Sequence, residues 1–369
     1  MITTNLPTTP SPVFDSEVVD NGEIISSIAM DTEIMRNEQL TIASKPPENK
    51  VSSLAVSWAK KYYSTVTAHD KLAQLAPVQK SEIEEEENRA KIADKLLDTL
   101  KVACDMAWSK VENLLAGDIQ RHAISPDLIR PSDIIGDSRR LYQQAINAYA
   151  EEEPPTRLSV LMGRQIIEIR RKYSEADPLV LGFVTMQFHY VSHILLGTLA
   201  SRQRSHFVPY LKIIDDYLHI PFGDIHEAAA NHDPKSVSLK AVQHLLSCTT
   251  AIARSVYERV SAQHLGYRSS TGELTHEMVK MSSIRDVEIF QSYLCLCALE
   301  GSIRPIQEEL FPIAVMLYPR LHVSWKLVQD MLLVLFWEMH DRLPSEDLMV
   351  FLPYLRTLTE MFSDEVFRN

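Results

Sequence analysis

Histidine is the residue type whose number and spacing could support chemistry in this chain. Nine of the 13 histidines lie between His189 and His276. His189 and His193 are four residues apart, as are Asp215 and His219, and this spacing places each pair on one face of a helix. Neutral imidazoles and carboxylates are ligands of zinc, iron and manganese. The two pairs are therefore candidate ligands of a metal ion or of a haem-like tetrapyrrole.

A structural role explains the same histidines. His189 lies between Phe188 and Tyr190 in a segment without formal charge, which is typical of a core imidazole hydrogen-bonded to a neighbouring helix. The chain contains no HExxH motif, and no ExxH pair is supported by partner glutamates as di-iron bundles require. The sequence favours the structural role, and the ligand role remains the alternative.

The dipeptide His232-Asp233 is a second candidate metal site. All-α metal phosphohydrolases hold ions with an adjacent His-Asp pair, a distant histidine and a later aspartate, and the ions activate water. The remaining ligands of such a site would come from His206 or His219 and from Asp286 or Asp330. However, Pro234 disfavours helical geometry at Asp233, whereas the pattern needs the dipeptide on a helix. This site therefore belongs to the alternative interpretation only.

Composition excludes several classes of protein. The chain has 369 residues, of which only 10 are glycines, and it contains no GxGxxG, GxxxxGK[ST] or GxSxG motif. This argues against nucleotide-binding sheets, kinases and α/β-hydrolases. The net charge of −12 disfavours non-specific nucleic-acid binding, and residues 1–87, with 14 acidic and 7 basic side chains, hold about −7 of it. No sequence context activates a serine or cysteine nucleophile, so the sequence favours a protein that is not an enzyme.

The cysteines and the N-terminus indicate a cytoplasmic protein. The four cysteines have no CxxC spacing, so we expect four free thiols in a reducing compartment. The first residues, MITTNLPTTPSPVFD, have neither a basic nor an apolar segment of a signal peptide. Residues 178–201 carry no formal charge but include Gln187 and His193, so we expect a buried core helix rather than a membrane span.

Periodicity predicts an all-α multi-helix bundle with a disordered acidic N-terminal tail. The tail covers residues 1–50, a helical region with one long helix covers 51–153, and a C-terminal helical domain covers 156–369. The long helix starts with the capping box at Ser81 and ends at Gly117. The other expected helices cover about 52–75, 138–152, 156–173, 178–203, 205–219, 236–263, 283–299, 303–317, 321–341 and 345–362. No segment predicts a strand.

The C-terminal part resembles a conserved helical protein family of cyanobacteria without an assigned activity. The residues that carry the resemblance are Ser282-Ser283-Ile284-Arg285-Asp286, which lead into the helix Phe290–Leu299, and the ending Glu360-Met361-Phe362-Ser363. The resemblance covers residues 157–367 and transfers no site residues. It implies a cytosolic bacterial regulator or assembly factor near the photosynthetic apparatus.

Together these observations predict a non-enzymatic helical adaptor or assembly protein with a protein partner and no cofactor. An acidic tail on a helical body is typical of such proteins. The alternative is a metal- or tetrapyrrole-binding helical protein, and this alternative includes a metal-dependent phosphohydrolase. Its candidate ligands are His189, His193, Asp215, His219, His232 and Asp233.

Overall fold

A computed structural model describes residues 82–363, with side chains from Arg89 onward. The α-helices are α1 (Glu82–Arg121), α2 (Pro131–Ala150), α3 (Pro155–Ser174), α4 (Val180–Gly197), α5 (Ser201–His219), α6 (Phe222–Ala230), α7 (Val237–Gln263), α8 (Glu277–Glu300), α9 (Phe311–Arg320), α10 (Trp325–Arg342) and α11 (Ser345–Met361). The all-α prediction is confirmed. The predicted tail, the helix predicted at 52–75 and the Ser81 capping box lie outside the described residues.

The first two helices differ from the prediction at their boundaries. α1 continues through Gly117 to Arg121, because a glycine within a helix costs only about 1 kcal/mol relative to alanine and does not force an end. α2 begins at Pro131, seven residues earlier than predicted, with the proline at a first-turn position where its missing N–H costs nothing. The expected stripe on α1 is buried at Leu96, Leu100 and Val111.

Three elements were not expected from the sequence. The nine-residue helix α6 lies between the expected helices 205–219 and 236–263, where the sequence predicts no helix. A two-residue hairpin pairs β1 (Arg268–Ser269) with β2 (Gly272–Glu273), and its tip is held by a hydrogen bond from the N–H of Ser270 to the carbonyl of Leu321, 2.9 Å. A π turn (Ile306–Leu310) precedes α9. These elements are short, so hydrophobic periodicity does not reveal them.

Helix α8 is longer than predicted and forms the centre of the molecule. It begins at Glu277 rather than at a capping box on Ser283, which lies within the helix. Every residue from Val287 to Leu299 is buried. The helix ends at Gly301, whose φ of +63° is the left-handed conformation that glycine adopts without strain.

Two hydrophobic cores divide the described chain. The first contains residues 92–218 together with Met316 and Leu317, and the second contains residues 220–362. We call α1–α5 the N-terminal half and α6–α11 the C-terminal half. The linker of residues 151–154, where the predicted domains 51–153 and 156–369 meet, connects α2 and α3, and both helices contribute to the first core. The predicted domain boundary at that linker stays a prediction, while the chain changes from one core to the other at His219–Ile220.

Among the described residues, α4 alone is long and apolar enough to cross a membrane. About two thirds of this segment, 67%, is buried inside the protein. Two of its polar residues have protein partners: Gln187 donates to the carbonyl of Cys104 at 3.0 Å, and Ser192 bonds Tyr142 at 2.8 Å. A core helix that uses these polar side chains to bond neighbouring helices accounts for this composition.

Candidate functional site

The two predicted pairs, His189 with His193 and Asp215 with His219, lie close together in the structure. His189 and His193 on α4 have ring centroids 5.2 Å apart, and His189 shares a cavity wall with Asp215 of α5. His219 lies one turn beyond Asp215, and its Nδ1 donates to the carbonyl of Asp215 at 2.8 Å. Because a carbonyl only accepts, this bond assigns the proton of His219 to Nδ1. The i,i+4 spacing aligns each pair on one helix face, and the packing of α4 against α5 brings four of the six predicted residues together.

A residue outside the predicted ligands organises this cluster. The guanidinium of Arg285 on α8 donates from Nη1 to both carboxylate oxygens of Asp215, each at 3.0 Å, and from Nη2 to Asp286 at 3.3 Å. Arg285 and Asp215 are 13% and 26% exposed, so the ion pair is largely shielded from water. Arg285 belongs to the segment that carried the family resemblance, but only the fold shows its partner on α5.

Burial and charge set the protonation of the carboxylates. Burial alone would raise the pKa of Asp215, but Arg285 and the neighbouring histidines outweigh it and lower the pKa to about 2. Burial raises the pKa of Asp286, with Arg285 acting in the opposite direction. Burial lowers the pKa of Arg285 less than Asp215 and Asp286 raise it, so its charge is secured. Asp215 and Arg285 therefore form a charged pair at neutral pH.

The histidines of the cluster are neutral. Burial, together with the positive charge of Arg285, lowers the pKa of His189 to about 3 and that of His219 to about 4. Burial also lowers the pKa of His193, whose Nε2 is buried without a hydrogen-bond partner. Neutral imidazoles keep a lone pair on one nitrogen, which is the form that a metal requires.

His232 and Asp233 lie away from this cluster. His232 bonds Ser236 Oγ through Nδ1, 2.9 Å, and the carbonyl of Leu299 through Nε2, 2.6 Å. Leu299 is fourteen residues beyond Arg285 on α8, about 21 Å along the axis. Asp233 accepts from the N–H of Lys235 at 2.8 Å in the predicted turn. These two residues shape the turn between α6 and α7.

The metal-ligand role of the predicted residues stays a prediction. Within residues 89–363, no group of three or more His, Cys, Asp or Glu side chains is arranged to hold a metal ion. The carboxylate of Asp215 already accepts both of its hydrogen bonds from Arg285, so a cation there would compete with the guanidinium.

Two further buried ion networks link α5 to α8 and α3 to the π turn. Lys212 of α5 contacts Asp216 at 2.9 Å and Glu288 of α8 at 3.2 Å, and both carboxylates are fully buried. Arg170 of α3, 4% exposed, pairs with Glu309 of the π turn, which also accepts from Tyr293. No local pattern predicts Glu288 and Glu309 as partners, because they lie far from Lys212 and Arg170 in the chain.

All three networks cross from the N-terminal half to the C-terminal half. A fourth ion pair also crosses between the two halves: Arg320 of α9 donates to both oxygens of Asp118 on α1, at 2.8 and 2.9 Å. Each half is therefore built around an apolar core, and the two halves are joined by these ion pairs together with Met316 and Leu317 of α9, which pack in the first core.

Three cavities lie along this boundary, each lined from both halves. The first, the hairpin cavity, has about 140 Å³ and lies between β1–β2, His189, Arg285 and Tyr293. The second, the acidic groove, has about 730 Å³ and lies between α3, α6 and the π turn. The third, the α5–α8 cleft, has about 400 Å³. His189, Ser282 and Arg285 line both the hairpin cavity and the α5–α8 cleft.

No cysteine lines any of these three cavities. All four cysteines are unpaired, as expected, and Cys104, Cys295 and Cys297 are fully buried in the two cores. Burial raises the pKa of Cys104 to about 11 and that of Cys297 to about 12, and burial raises the pKa of Cys248 as well. These thiols are therefore poor nucleophiles at neutral pH.

Comparison with known proteins gives one result for the C-terminal half. A family model described as phycobilisome protein matches residues 218–361. No curated protein and no solved structure matches the chain. The match confirms the predicted resemblance to a helical cyanobacterial family, although it begins at residue 218 rather than 157. The expectation that this family has no assigned role is wrong, because the family is named for the phycobilisome.

Proposed function

We propose that this chain is a non-enzymatic helical protein that assembles with protein partners of the cyanobacterial light-harvesting apparatus. One observation carries the proposal: the matched range, 218–361, coincides with the second hydrophobic core, 220–362. A match over a complete core concerns a whole folding unit rather than a local motif. Members of the phycobilisome family assemble with other proteins, which supports a protein partner here. A cytoplasmic location is part of the proposal.

The chemistry of the boundary supports a role without catalysis. The charged groups of Arg285, Arg170 and Lys212 are each paired with carboxylates that are at most 26% exposed, so they already have partners inside the protein and are not free to bind a substrate. The thiols have pKa values raised by burial, which removes the best candidate nucleophiles.

A tetrapyrrole is the second candidate, and the family match alone favours it. The residues present do not fit a thioether-linked pigment, because none of the three cavities contains a cysteine. The hairpin cavity, about 140 Å³, is comparable with a cavity of about 150 Å³ that holds benzene, which is several times smaller than a tetrapyrrole. On the side of the hairpin cavity, the histidine cluster therefore has no room for a pigment.

Co-sedimentation with isolated phycobilisomes tests the assembly role. We expect the full chain to sediment with them, and Trp337→Ala on α10 to weaken this, because Trp337 is 37% exposed beside Phe336 and aromatic side chains dominate protein interfaces. The matched control is Leu161→Ala on α3, an exposed apolar residue of the unmatched half. Failure of the full chain to sediment would contradict the proposal.

Absorption of the protein purified from cells that make linear tetrapyrroles tests the second candidate. We expect no visible absorption band and no zinc-enhanced fluorescence on a denaturing gel. A covalent pigment would contradict our interpretation of the cysteines, and peptide mapping would identify the thiol that carries it.

A further inference from the structure

The α5–α8 cleft is the boundary cavity whose size suits a small molecule. Its volume, about 400 Å³, lies within the usual range of ligand pockets, about 300–1,000 Å³. Ligand sites occur preferentially where two structural units meet, and here α4 and α5 of one half face α7 and α8 of the other.

The cleft has apolar walls on both sides. Leu196, Val208 and Leu211 come from the N-terminal half, whereas Met278 and Met281 come from α8. The exposed surface of the cleft is about two thirds apolar, and methionine side chains adapt to the shape of a ligand. This lining differs from that of the acidic groove, whose exposed surface is only about half apolar.

The charges of the cleft cancel. Four basic and four acidic side chains line it: Lys212, Arg254, Lys280 and Arg285 against Asp215, Glu258, Glu277 and Glu288. The inner charges are paired with one another, since Lys212 contacts Glu288 at 3.2 Å and Arg285 contacts Asp215 at 3.0 Å. At the mouth, Arg254, Glu258 and Glu277 are exposed, so both signs of charge are available there.

We propose that the α5–α8 cleft binds an amphipathic small molecule without net charge, its apolar body between the two methionines and α5 and its polar end at the mixed-charge mouth. A molecule with net charge would meet no opposite excess in the cleft and would lose its hydration on entry. Because the ligand contacts both halves, it binds only when they are docked and therefore stabilises their contact. This site goes beyond the proposed assembly role and does not depend on it.

A fluorescent probe without charge, N-phenyl-1-naphthylamine, tests the site. We expect saturable binding of one probe per full chain, with enhanced emission in the apolar cleft. Met281→Trp on α8 and Val208→Trp on α5 fill the cleft from opposite walls and should each weaken binding by about tenfold or more. Met106→Trp is the matched control, because Met106 is 50% exposed on α1 and does not line the cleft.

Circular dichroism confirms that each variant folds, and hydrogen exchange supplies a measurement that needs no variant. We expect the probe to slow amide exchange in α5 and the first half of α8 of the wild-type chain. Equal binding by the wild-type chain and both cleft variants would overturn the proposal. The same holds if the probe does not bind saturably, or if it protects amides elsewhere and leaves these two helices unchanged.

Discussion

The two halves differ in how their principal helices are buried. α8, in the C-terminal half, is buried on every side from Val287 to Leu299, whereas α1 in the N-terminal half buries one stripe and exposes Val102 and Met106. A helix enclosed on all sides makes the C-terminal half a complete core, which corresponds to the range of the family match. The N-terminal half is a second core docked on it through buried charges. The boundary should therefore respond to changes in charge, and the cores to changes in volume.

The largest expected effect comes from breaking the central ion pair of the boundary. Asp215→Ala leaves the buried guanidinium of Arg285 without its bidentate partner, and we expect a loss of about 3–5 kcal/mol in the free energy of unfolding. Urea denaturation followed by circular dichroism measures it.

The double variant Asp215→Leu/Arg285→Met sharpens this test. Replacing both charges by apolar side chains removes the unpaired guanidinium and leaves only Asp286, 25% exposed, without its partner, so the double variant should regain part of the lost stability. The control is Arg164→Ala, whose partner Glu168 and own side chain are exposed, and it should leave the midpoint unchanged. A double variant as unstable as Asp215→Ala would contradict the paired-charge interpretation.

Core truncations compare the two halves directly. Leu96→Ala in the first core and Leu335→Ala in the second remove fully buried side chains, and each should cost about 2–5 kcal/mol. If the halves unfold as one unit, both variants move one shared transition, measured by urea denaturation. Two transitions, each sensitive to one variant, would show that the halves unfold separately.

Acid should weaken the boundary before the cores. The pKa values of His189 and His219 in the folded protein, about 3 and about 4, lie below the ordinary value near 6.5. Between about pH 6.5 and pH 4 the unfolded chain therefore binds more protons, so stability falls as the pH falls. Each imidazole contributes up to about 1.4 kcal/mol per pH unit in this window.

Below about pH 4, protonation of Asp215, whose pKa is about 2, continues the loss in the same direction. Thermal unfolding measured from pH 7 to pH 2 checks both losses, and His219→Gln should reduce by about one the number of protons that the chain takes up on unfolding. His340→Gln, an exposed site on α10, is the control and should leave the profile unchanged. A profile unaffected by His219→Gln would be inconsistent with a neutral buried imidazole.

A smaller effect is expected at His193. Its Nε2 has no hydrogen-bond partner, so His193→Leu strands no bonded group and should cost less than about 1 kcal/mol. A metal ligand would behave differently, because its loss removes binding energy coupled to folding. Denaturation of the wild type and the variant with and without chelator measures both effects. A chelator-dependent midpoint of the wild type would support the alternative of a metal site.

Thiol reactivity compares the two halves without any substitution in the chain. Cys104 reports opening of the first core, and Cys295 and Cys297 report opening of the second, because all three are fully buried. We expect alkylation in native buffer to modify Cys248 first, the one cysteine that is partly exposed. Mass spectrometry at increasing urea then gives the opening order of the two cores, and rapid native modification of Cys295 would contradict the enclosed C-terminal core.

The sequence alone determined the helical class and most helix positions, because apolar residues at helical spacing predict both. It also predicted that His189 shares a helix face with His193 and that Asp215 shares one with His219, since i,i+4 spacing is a local property. It ended α1 too early at Gly117, because a glycine signals a helix end only when the backbone becomes left-handed, as at Gly301 and not at Gly117.

Tertiary structure alone decided what the charged residues do. Arg285, Lys212 and Arg170 find their carboxylates on helices far away in the chain, and no local pattern encodes such partners. The fold also separated His232 and Asp233 from the histidine cluster and created the cavities. The position of these two residues and the shape of the cavities depend on how the two cores meet. Periodicity reports which face of a helix is buried, and only packing determines what that face contacts.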